Sequence, residues 1–180
     1  VGRLERARSV LQHGIDASPD GYYLHRLISA IHHQLGDTSR ALRHMRRAQE
    51  LIQERGSDHE WIGTLLMDLG RHDEALASLD RALSHGVRNP ENVLYMAGMI
   101  EMGRERWSKA AERFRQAVRI NETLTPAQVQ LAHCLGELGR YREAEAALRW
   151  AEELADQPRE VSAARRRLAE LQEQSSARSR

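Results

Sequence analysis

The residues best suited to chemistry in this sequence are its nine histidines and its single cysteine. Imidazole and thiolate groups bind transition metals and serve as bases or nucleophiles. His59-Glu60 begins like the helical zinc-protease motif, but Gly63 stands where the second histidine is required. His32 and His33 are adjacent and point in different directions on a helix, which favours surface positions for both. The histidines therefore predict no metal site.

Catalysis by other routes has no support either. Cys134 cannot form an intrachain disulfide or a thiolate cluster alone, and it is best interpreted as a packing residue. No glycine-rich phosphate loop occurs, and no serine or cysteine lies in a family-like catalytic context. We expect a protein without enzyme activity and without a cofactor.

Charge gives little reason to expect a nucleic acid partner, because the formal net charge is only +1. Arginines on one predicted helix could still form a basic stripe, and nearby Glu50 and Glu54 favour a solvated outer face instead. The run Arg165–Arg167 has the same interpretation. The residues of the stripe are Arg40, Arg43, Arg46 and Arg47, with Arg6 and Arg8 from the preceding segment.

Small residues recur along the chain at a nearly constant interval. Residues 69–83 contain a turn glycine, an alanine five residues later and a second small residue seven after that. The first alanines of successive copies are separated by 34, 34, 35 and 34 residues, and a period in that range indicates stacked helical hairpins. Alanine and glycine allow two helices to approach closely, and glycine suits the turn between them. The alanines are Ala7, Ala41, Ala75, Ala110 and Ala144.

The period predicts an all-α solenoid of antiparallel helix pairs forming one continuous array over residues 1–174. It comprises a leading half repeat, four full repeats, a C-terminal capping helix and a mobile tail at 175–180. An apolar fraction of 41% agrees with such a fold. No apolar run is long enough to span a bilayer, and no signal peptide is evident. The boundaries are 1–20 for the half repeat, 21–55, 56–88, 89–123 and 124–157 for the repeats, and 158–174 for the capping helix.

Several local signals predict where helices begin and end. Ser57-Asp58-His59-Glu60 reads as a capping box. Asn89-Pro90 and Thr125-Pro126 read as a polar N-cap followed by proline. In the third repeat Gly103 precedes the alanine by seven residues instead of five, which predicts a turn about two residues longer. The second helix of the first repeat is expected to end near Glu54 and the capping helix near Gln172.

The segments Leu-Gly-Arg-His-Asp-Glu-Ala at 69–75 and Leu-Gly-Arg-Tyr-Arg-Glu-Ala at 138–144 closely resemble the signature of the tetratricopeptide repeat (TPR). The resemblance covers about residues 2–156, with Ser29 and Ala132 where a glycine or alanine is usual. It implies a right-handed superhelix whose first helices line a concave groove for a peptide or partner helix. The carboxylate clamp of chaperone-binding members is not present.

By register with the family, the groove would have a lining of mixed charge. Trp61 is open to two interpretations, as a core residue or as a binding residue. The residues that the resemblance assigns to the groove are Tyr23, Arg26, Ala30, His33, Glu60, Trp61, Thr64, Met67, Leu94, Glu101, Met102, Val129, His133 and Glu137.

The resemblance implies an interaction scaffold for a protein or peptide, and we expect a bacterial-type module. Because the chain opens with the second half of a repeat, we expect it to form part of a larger polypeptide. The alternative is an appendage domain serving an attached enzyme or an exopolysaccharide secretion machine. No small-molecule substrate or membrane insertion is expected. The unpaired helix at residues 3–16 predicts self-association through the amino-terminal edge. The compartment stays open, with the cytoplasm favoured over the periplasm.

Overall fold

A computed structural model describes residues 2–52, 54–154 and 158–178 of the chain, and over these residues it contains ten α-helices and no strand. Nearly the whole described chain is therefore helical, as the sequence predicts. The helices are α1 Gly2–Ala17, α2 Tyr22–Gln34, α3 Thr38–Leu51, α4 Gly56–Asp68, α5 His72–Ser84, α6 Pro90–Gly103, α7 Trp107–Ile120, α8 Thr125–Glu137, α9 Tyr141–Leu154 and α10 Pro158–Arg178.

The chain divides into two compact units, Val1–Arg88 and Asn89–Arg180. In the first unit α2 pairs with α3 and α4 with α5, while α1 packs on α2 as a half repeat. In the second unit α6 pairs with α7 and α8 with α9, and α10 covers α8 and α9 as the capping helix. The sequence predicts one array, and the division falls at its boundary between the second and third repeats.

Small residues lie at the crossings of both helices in each hairpin. Ala41, Ala75, Ala110 and Ala144 on the second helices are all fully buried, as predicted. On the first helix of the third repeat, a Cβ added to Gly98 would lie 2.6 Å from the buried ring of Phe114. A side chain at this position would force the two helices of the hairpin apart. The small residues at the crossings therefore set the distance between the paired helices.

The turn of the third repeat differs from the expectation. The connection between α6 and α7 has the same length as that between α4 and α5, so the predicted longer turn is wrong. The extra residue lies in α6, which has 14 residues where α4 has 13. Glu105 takes the left-handed conformation with φ 57°, the role that Gly70 fills with φ 69° in the second repeat. Gly103 is the last residue of α6, so the spacing from this glycine to Ala110 does not report the length of the turn.

Two of the predicted helix starts are also wrong. The α4 helix begins at Gly56, its N-cap Arg55 provides no side-chain hydrogen bond, and Asp58 of the supposed capping box is fully buried. The N-cap of α8 is Leu124, so Thr125 is already helical. Asn89 does precede Pro90 at the N-cap of α6, although its side chain makes no capping bond.

Helix ends differ from the sequence expectation at two places. The α3 helix ends at Leu51, three residues before the expected Glu54. The α10 helix continues beyond Gln172 to Arg178, so residues 175–178 are helical where a mobile tail is expected. Residues 179–180 lie outside the described residues.

Three large hydrophobic side chains are exposed on the first two helices, and one of them is Tyr23 at 65% exposure. Val10 of α1 is 71% exposed, and Leu27 of α2, which the helical pattern places in the core, is 55% exposed. None of the helices in the described part of the chain combines the length and apolar content needed to cross a bilayer. Self-association through α1 stays a prediction.

The buried crossings predict a position-specific loss of stability. Replacing Ala75 with leucine should overpack the α4–α5 crossing and lower the free energy of unfolding by ~1–3 kcal/mol. Ala77, exposed on the same helix, is the matched control, and Ala77→Leu should change stability by less than about 0.5 kcal/mol. Urea denaturation of both variants measures the difference. Equal stability of the two variants would contradict the assigned crossing.

Candidate protein-binding surface

The first helices of the first two repeats bring eight of the predicted groove residues onto adjacent helices. Most of these side chains are half-buried, and Tyr23 is 65% exposed. The exposed side chain of Leu27 lies one helical turn after Tyr23, so the two share a face of α2. The α2/α4 face, as we call it, consists of Tyr23, Arg26, Leu27, Ala30 and His33 of α2 and Glu60, Trp61, Thr64 and Met67 of α4.

Trp61 of the α2/α4 face is half-buried and hydrogen-bonded to the core. Its indole Nε1–H donates to Ser29 Oγ at 3.0 Å, and the Ser29 hydroxyl donates to the Ala41 carbonyl at 2.8 Å. The His33 ring packs edge-on against Trp61 with ring centroids 5.0 Å apart. His33 Nε2 also lies 2.7 Å from a carboxylate oxygen of Asp68. The indole is thus half-buried and held in place by these contacts.

Asp58 forms a buried polar node beneath the same face. The hydroxyl of Tyr22 lies 3.0 Å from both carboxylate oxygens, and Arg26 Nε lies 3.5 Å from one of them. Arg55 lies over the Tyr22 ring at 5.5 Å. Burial, and then the neighbouring Asp58 carboxylate, raise the pKa of Tyr22. The node fixes the start of α4 against α2, a role that a local capping signal could not reveal.

Glu60 is the one acidic residue among the face residues. Burial raises the pKa of its carboxyl group. Within the described part of the chain, its carboxylate has no hydrogen-bond or ion-pair partner. A partly desolvated carboxylate without a partner favours a hydrogen-bond donor or a cation from another molecule.

The predicted groove residues of the second unit are less accessible. Leu94, Glu101 and Val129 are buried at 4%, 6% and 8% exposure. Glu101 lies 3.3 Å from Arg106 of the following turn, so it stabilises the hairpin. Met102 is half-buried.

A cavity of about 490 Å³ lies between α6, α8 and α10 in the second unit. Val129 and His133 line it, as predicted groove residues, together with Tyr95 and Leu168. Glu137 lies 3.5 Å from His133 and 3.3 Å from Arg167 of α10. The capping helix therefore already covers part of this surface, and it supplies the cation that pairs with Glu137.

The arginines of the candidate basic stripe are largely paired with acids. Arg47 contacts Asp20 at 2.6 Å and Glu50 at 3.1 Å, and Arg46 contacts Glu74 at 3.3 Å. Exposed pairs of this kind add little stability. They also lower the positive potential that a nucleic acid would need.

Two sets of histidines lie where the sequence does not predict them. His32 is buried at 4% exposure, so its predicted surface position is wrong, and its ring stacks on His44. Elsewhere in the first unit, His59 and His85 both lie beside Glu54, at 3.3 Å and 3.0 Å from one carboxylate oxygen. His85 is 26 residues beyond His59 in the sequence, so spacing gave no signal of the three-residue cluster.

The sequence matches two family models, both described as tetratricopeptide repeat, over residues 62–124 and 101–168. The chain belongs to the tetratricopeptide repeat family. The match agrees with the repeated hairpins and with the small residues at their crossings. No match to a curated protein was found.

Solved structures with the same fold include MamA, with TM-score 0.80 and 16% identity over 85% of this chain and 89% of that one. PilF of Pseudomonas aeruginosa has TM-score 0.79 and 18% identity over 96% and 78% of the two chains. YrrB, described as a TPR protein with an unusual peptide-binding site, has TM-score 0.69 and 22% identity over 80% and 74%. At these identities the likeness shows that the protein is an all-α TPR solenoid.

The departure from the TPR signature at Ser29 has a physical reason in the structure. Ser29 replaces the usual glycine or alanine at a fully buried position, where its hydroxyl links Trp61 of the next repeat to the backbone of α3. Ala132 is buried at 2% exposure, so it keeps the small size that the crossing requires. Cys134 packs in the core as predicted, and burial raises the pKa of its thiol to about 12.

The first TPR hairpin also contains a hydrogen-bonded histidine pair. His25 Nε2 lies 2.9 Å from the Pro19 carbonyl, which requires a proton on that nitrogen. His25 Nδ1 is then the acceptor for His44 Nδ1–H at 3.1 Å when both rings are neutral. Burial, then the charges of His25, His32 and Arg43, lower the pKa of His44 to about 4. Protonating His25 at Nδ1 removes the acceptor of this bond, whereas a proton added to His44 goes to Nε2 and leaves the bond in place.

The Asp58 node predicts that the Tyr22 hydroxyl is important for stability. Tyr22→Phe removes the hydroxyl that donates to the buried Asp58 carboxylate and leaves it the Arg26 ion pair, which should cost ~1–3 kcal/mol. Tyr23→Phe is the matched control, because Tyr23 is largely exposed and should tolerate the change. Thermal and urea unfolding of both variants test the difference, and an unchanged stability of Tyr22→Phe would contradict the node.

The histidine pair predicts a pH dependence of stability. Because the His44 pKa is near 4 in the fold and 6.5 without it, the unfolded chain binds more protons between these values. Stability should therefore be full above pH 6.5 and fall as the pH drops toward 4. His44→Gln should flatten this part of the profile, whereas the exposed control His13→Gln should not. Urea unfolding across pH 4–7 measures it, and an equal slope in His44→Gln would refute the prediction.

Proposed function

We propose that this TPR chain is a protein-interaction scaffold that binds a segment of a partner protein across the α2/α4 face. The observation that carries the proposal is the combination on one face of exposed apolar side chains and an unpaired carboxylate. Tyr23 and Leu27 are more than half exposed, and Glu60 has no partner in the described part of the chain. Both features are costly in an isolated protein and are relieved when a partner covers them.

The face indicates the chemistry of its partner. Tyr23, Leu27 and Trp61 offer apolar area, and Met67 adds a side chain that adapts to irregular shapes. Glu60 would accept a hydrogen bond from a lysine, an arginine or an amide of the bound segment. The expected ligand is an extended or helical segment with two or three apolar side chains and one donor.

The cavity of the second unit has weaker support as a binding surface, because α10 contributes Arg167 and Leu168 to its lining. The alternative role, an appendage serving an attached enzyme or exopolysaccharide machine, would use the same α2/α4 face. The residues that flank this chain in its parent gene distinguish the appendage from an independent scaffold. YrrB, as a TPR protein with a peptide-binding site, is consistent with peptide binding by this fold.

Peptide selection from a random phage-displayed library tests the proposal. The selected peptides should bind the Tyr23→Ala and Trp61→Ala variants more weakly than the unchanged protein. The loss of binding free energy should be ~2 kcal/mol for a residue at the centre of the interface. Tyr23→Ala is the more informative variant, because Tyr23 is largely exposed and its loss should not disturb the core. Arg46→Ala on α3 is the control and should bind normally. Affinity measured by calorimetry should change little between low and moderate salt, because buried apolar area is not screened.

Two results would contradict the α2/α4 face. One is loss of binding in Arg46→Ala with normal binding in Tyr23→Ala. The other is affinity that collapses as salt increases, which would indicate the arginines of α3 and a polyanionic partner. Glu60→Gln separates the two contributions, because it should reduce the preference for peptides with a basic residue while apolar contacts persist.

A further inference from the structure

Glu54, His59 and His85 each place one possible ligand atom in the same region of the first unit. The three atoms all lie within 4.8 Å of one another. Glu54 Oε2 is 3.3 Å from His59 Nε2 and 3.0 Å from His85 Nε2. The residues come from three places, namely the connection after α3, the first turn of α4 and the C-cap of α5. None of them belongs to the α2/α4 face.

The separations fit a tetrahedral metal ion. Zinc binds imidazole nitrogen and carboxylate oxygen at about 2.0–2.2 Å, so neighbouring ligands of a tetrahedral ion are ~3.3 Å apart. The separations of Glu54 Oε2 from His59 Nε2 and from His85 Nε2, 3.3 Å and 3.0 Å, are close to this value. Two imidazoles and one carboxylate form a set that suits zinc and similar transition metals and does not suit magnesium or calcium.

The backbone holds the segments that contribute these ligands in a fixed relation. A Cβ added to Gly56 would lie 2.1 Å from the carbonyl oxygen of Gly86, so only glycine allows this approach. Gly56 lies between Glu54 and His59 in the sequence, and Gly86 follows His85. The start of α4 and the end of α5 are thus in direct backbone contact beside the cluster. A site whose ligands are fixed before binding loses less entropy when the ion binds.

His59 has the surroundings expected of a metal ligand. Its ring is 2% exposed, and Gln49 Nε2 lies 3.1 Å from both ring nitrogens, in an orientation that can be exchanged with the amide oxygen. With its oxygen turned toward Nδ1, this amide would accept Nδ1–H and leave Nε2 for the ion. Glu54 and His85 are partly exposed at 50% and 39%, which gives an ion a path from solvent and room for a water as fourth ligand.

We propose that Glu54, His59 and His85 bind a divalent transition-metal ion of the zinc type. The ion joins the connection between the first two repeats to the end of α5, and it stabilises the first unit by binding only the folded chain. This goes beyond the proposed function and contradicts the sequence-based expectation that the histidines form no metal site. Hydrogen bonds alone could also hold the three side chains together, so the two explanations must be separated by metal binding itself.

The test uses the full chain without a histidine tag, stripped of metal by chelation. Titration calorimetry with ZnCl₂ should give one saturable equivalent, and thermal unfolding should shift upward with zinc but not with MgCl₂. Co²⁺ in place of zinc should give the intense visible absorption of a tetrahedral site. Failure to bind one equivalent, or an equal response to magnesium, would overturn the proposal.

Variants then assign the ligands. Glu54→Gln and His85→Ala should each weaken zinc binding more than about tenfold. Replacing a residue that only hydrogen-bonds a metal ligand already lowers metal affinity by about 10–100-fold, and loss of a ligand should lower it at least as much. Both side chains are partly exposed, so the folded structure should persist. Glu50→Gln and His72→Ala are matched controls, exposed in the same unit and outside the cluster, and should bind zinc normally. Unchanged affinity in Glu54→Gln and His85→Ala would refute the assignment.

Discussion

The close approach of paired helices is the constraint on which the rest of this structure depends. Helices this near to each other leave no room for a large side chain at the crossing, so alanine, glycine or serine recurs there on both partners. The fully buried alanines from Ala41 to Ala144 show this on the second helices, and Gly98 against Phe114 shows it on a first helix. Each hairpin leaves an apolar face that only its neighbours can cover, which is why the repeats stack.

Polar groups complete the core between hairpins of the first unit. The Ser29 hydroxyl accepts a hydrogen bond from the Trp61 indole and donates one to the Ala41 carbonyl. The Asp58 carboxylate accepts a hydrogen bond from the Tyr22 hydroxyl. Buried polar groups are costly unless paired, and each pair here joins different helices. These contacts specify how the first two repeats fit together, beyond what apolar packing alone would fix.

The same polar contacts determine which residues are left for other molecules. His33 and Trp61 are held by Asp68 and Ser29, so they form a rigid base for the α2/α4 face. Glu60 is left without a partner in the described residues, and Tyr23 extends into solvent. Glu101, by contrast, is buried and accepts a hydrogen bond from Arg106 in the turn of its own hairpin. A residue's place on a first helix is therefore insufficient to make it part of a binding surface.

The sequence alone determined the fold, because the spacing of small residues reports directly on where helices cross. It also placed the eight predicted residues of the first unit on adjacent helices, since repeat register is a local property. The turn at Glu105 escaped prediction because a non-glycine residue adopted the left-handed conformation. Asp58, His32 and Leu27 escaped it because burial depends on the neighbouring helix. Only the tertiary structure brought Glu54, His59 and His85 together, because the close backbone approach of Gly56 and Gly86 joins segments that no sequence spacing connects.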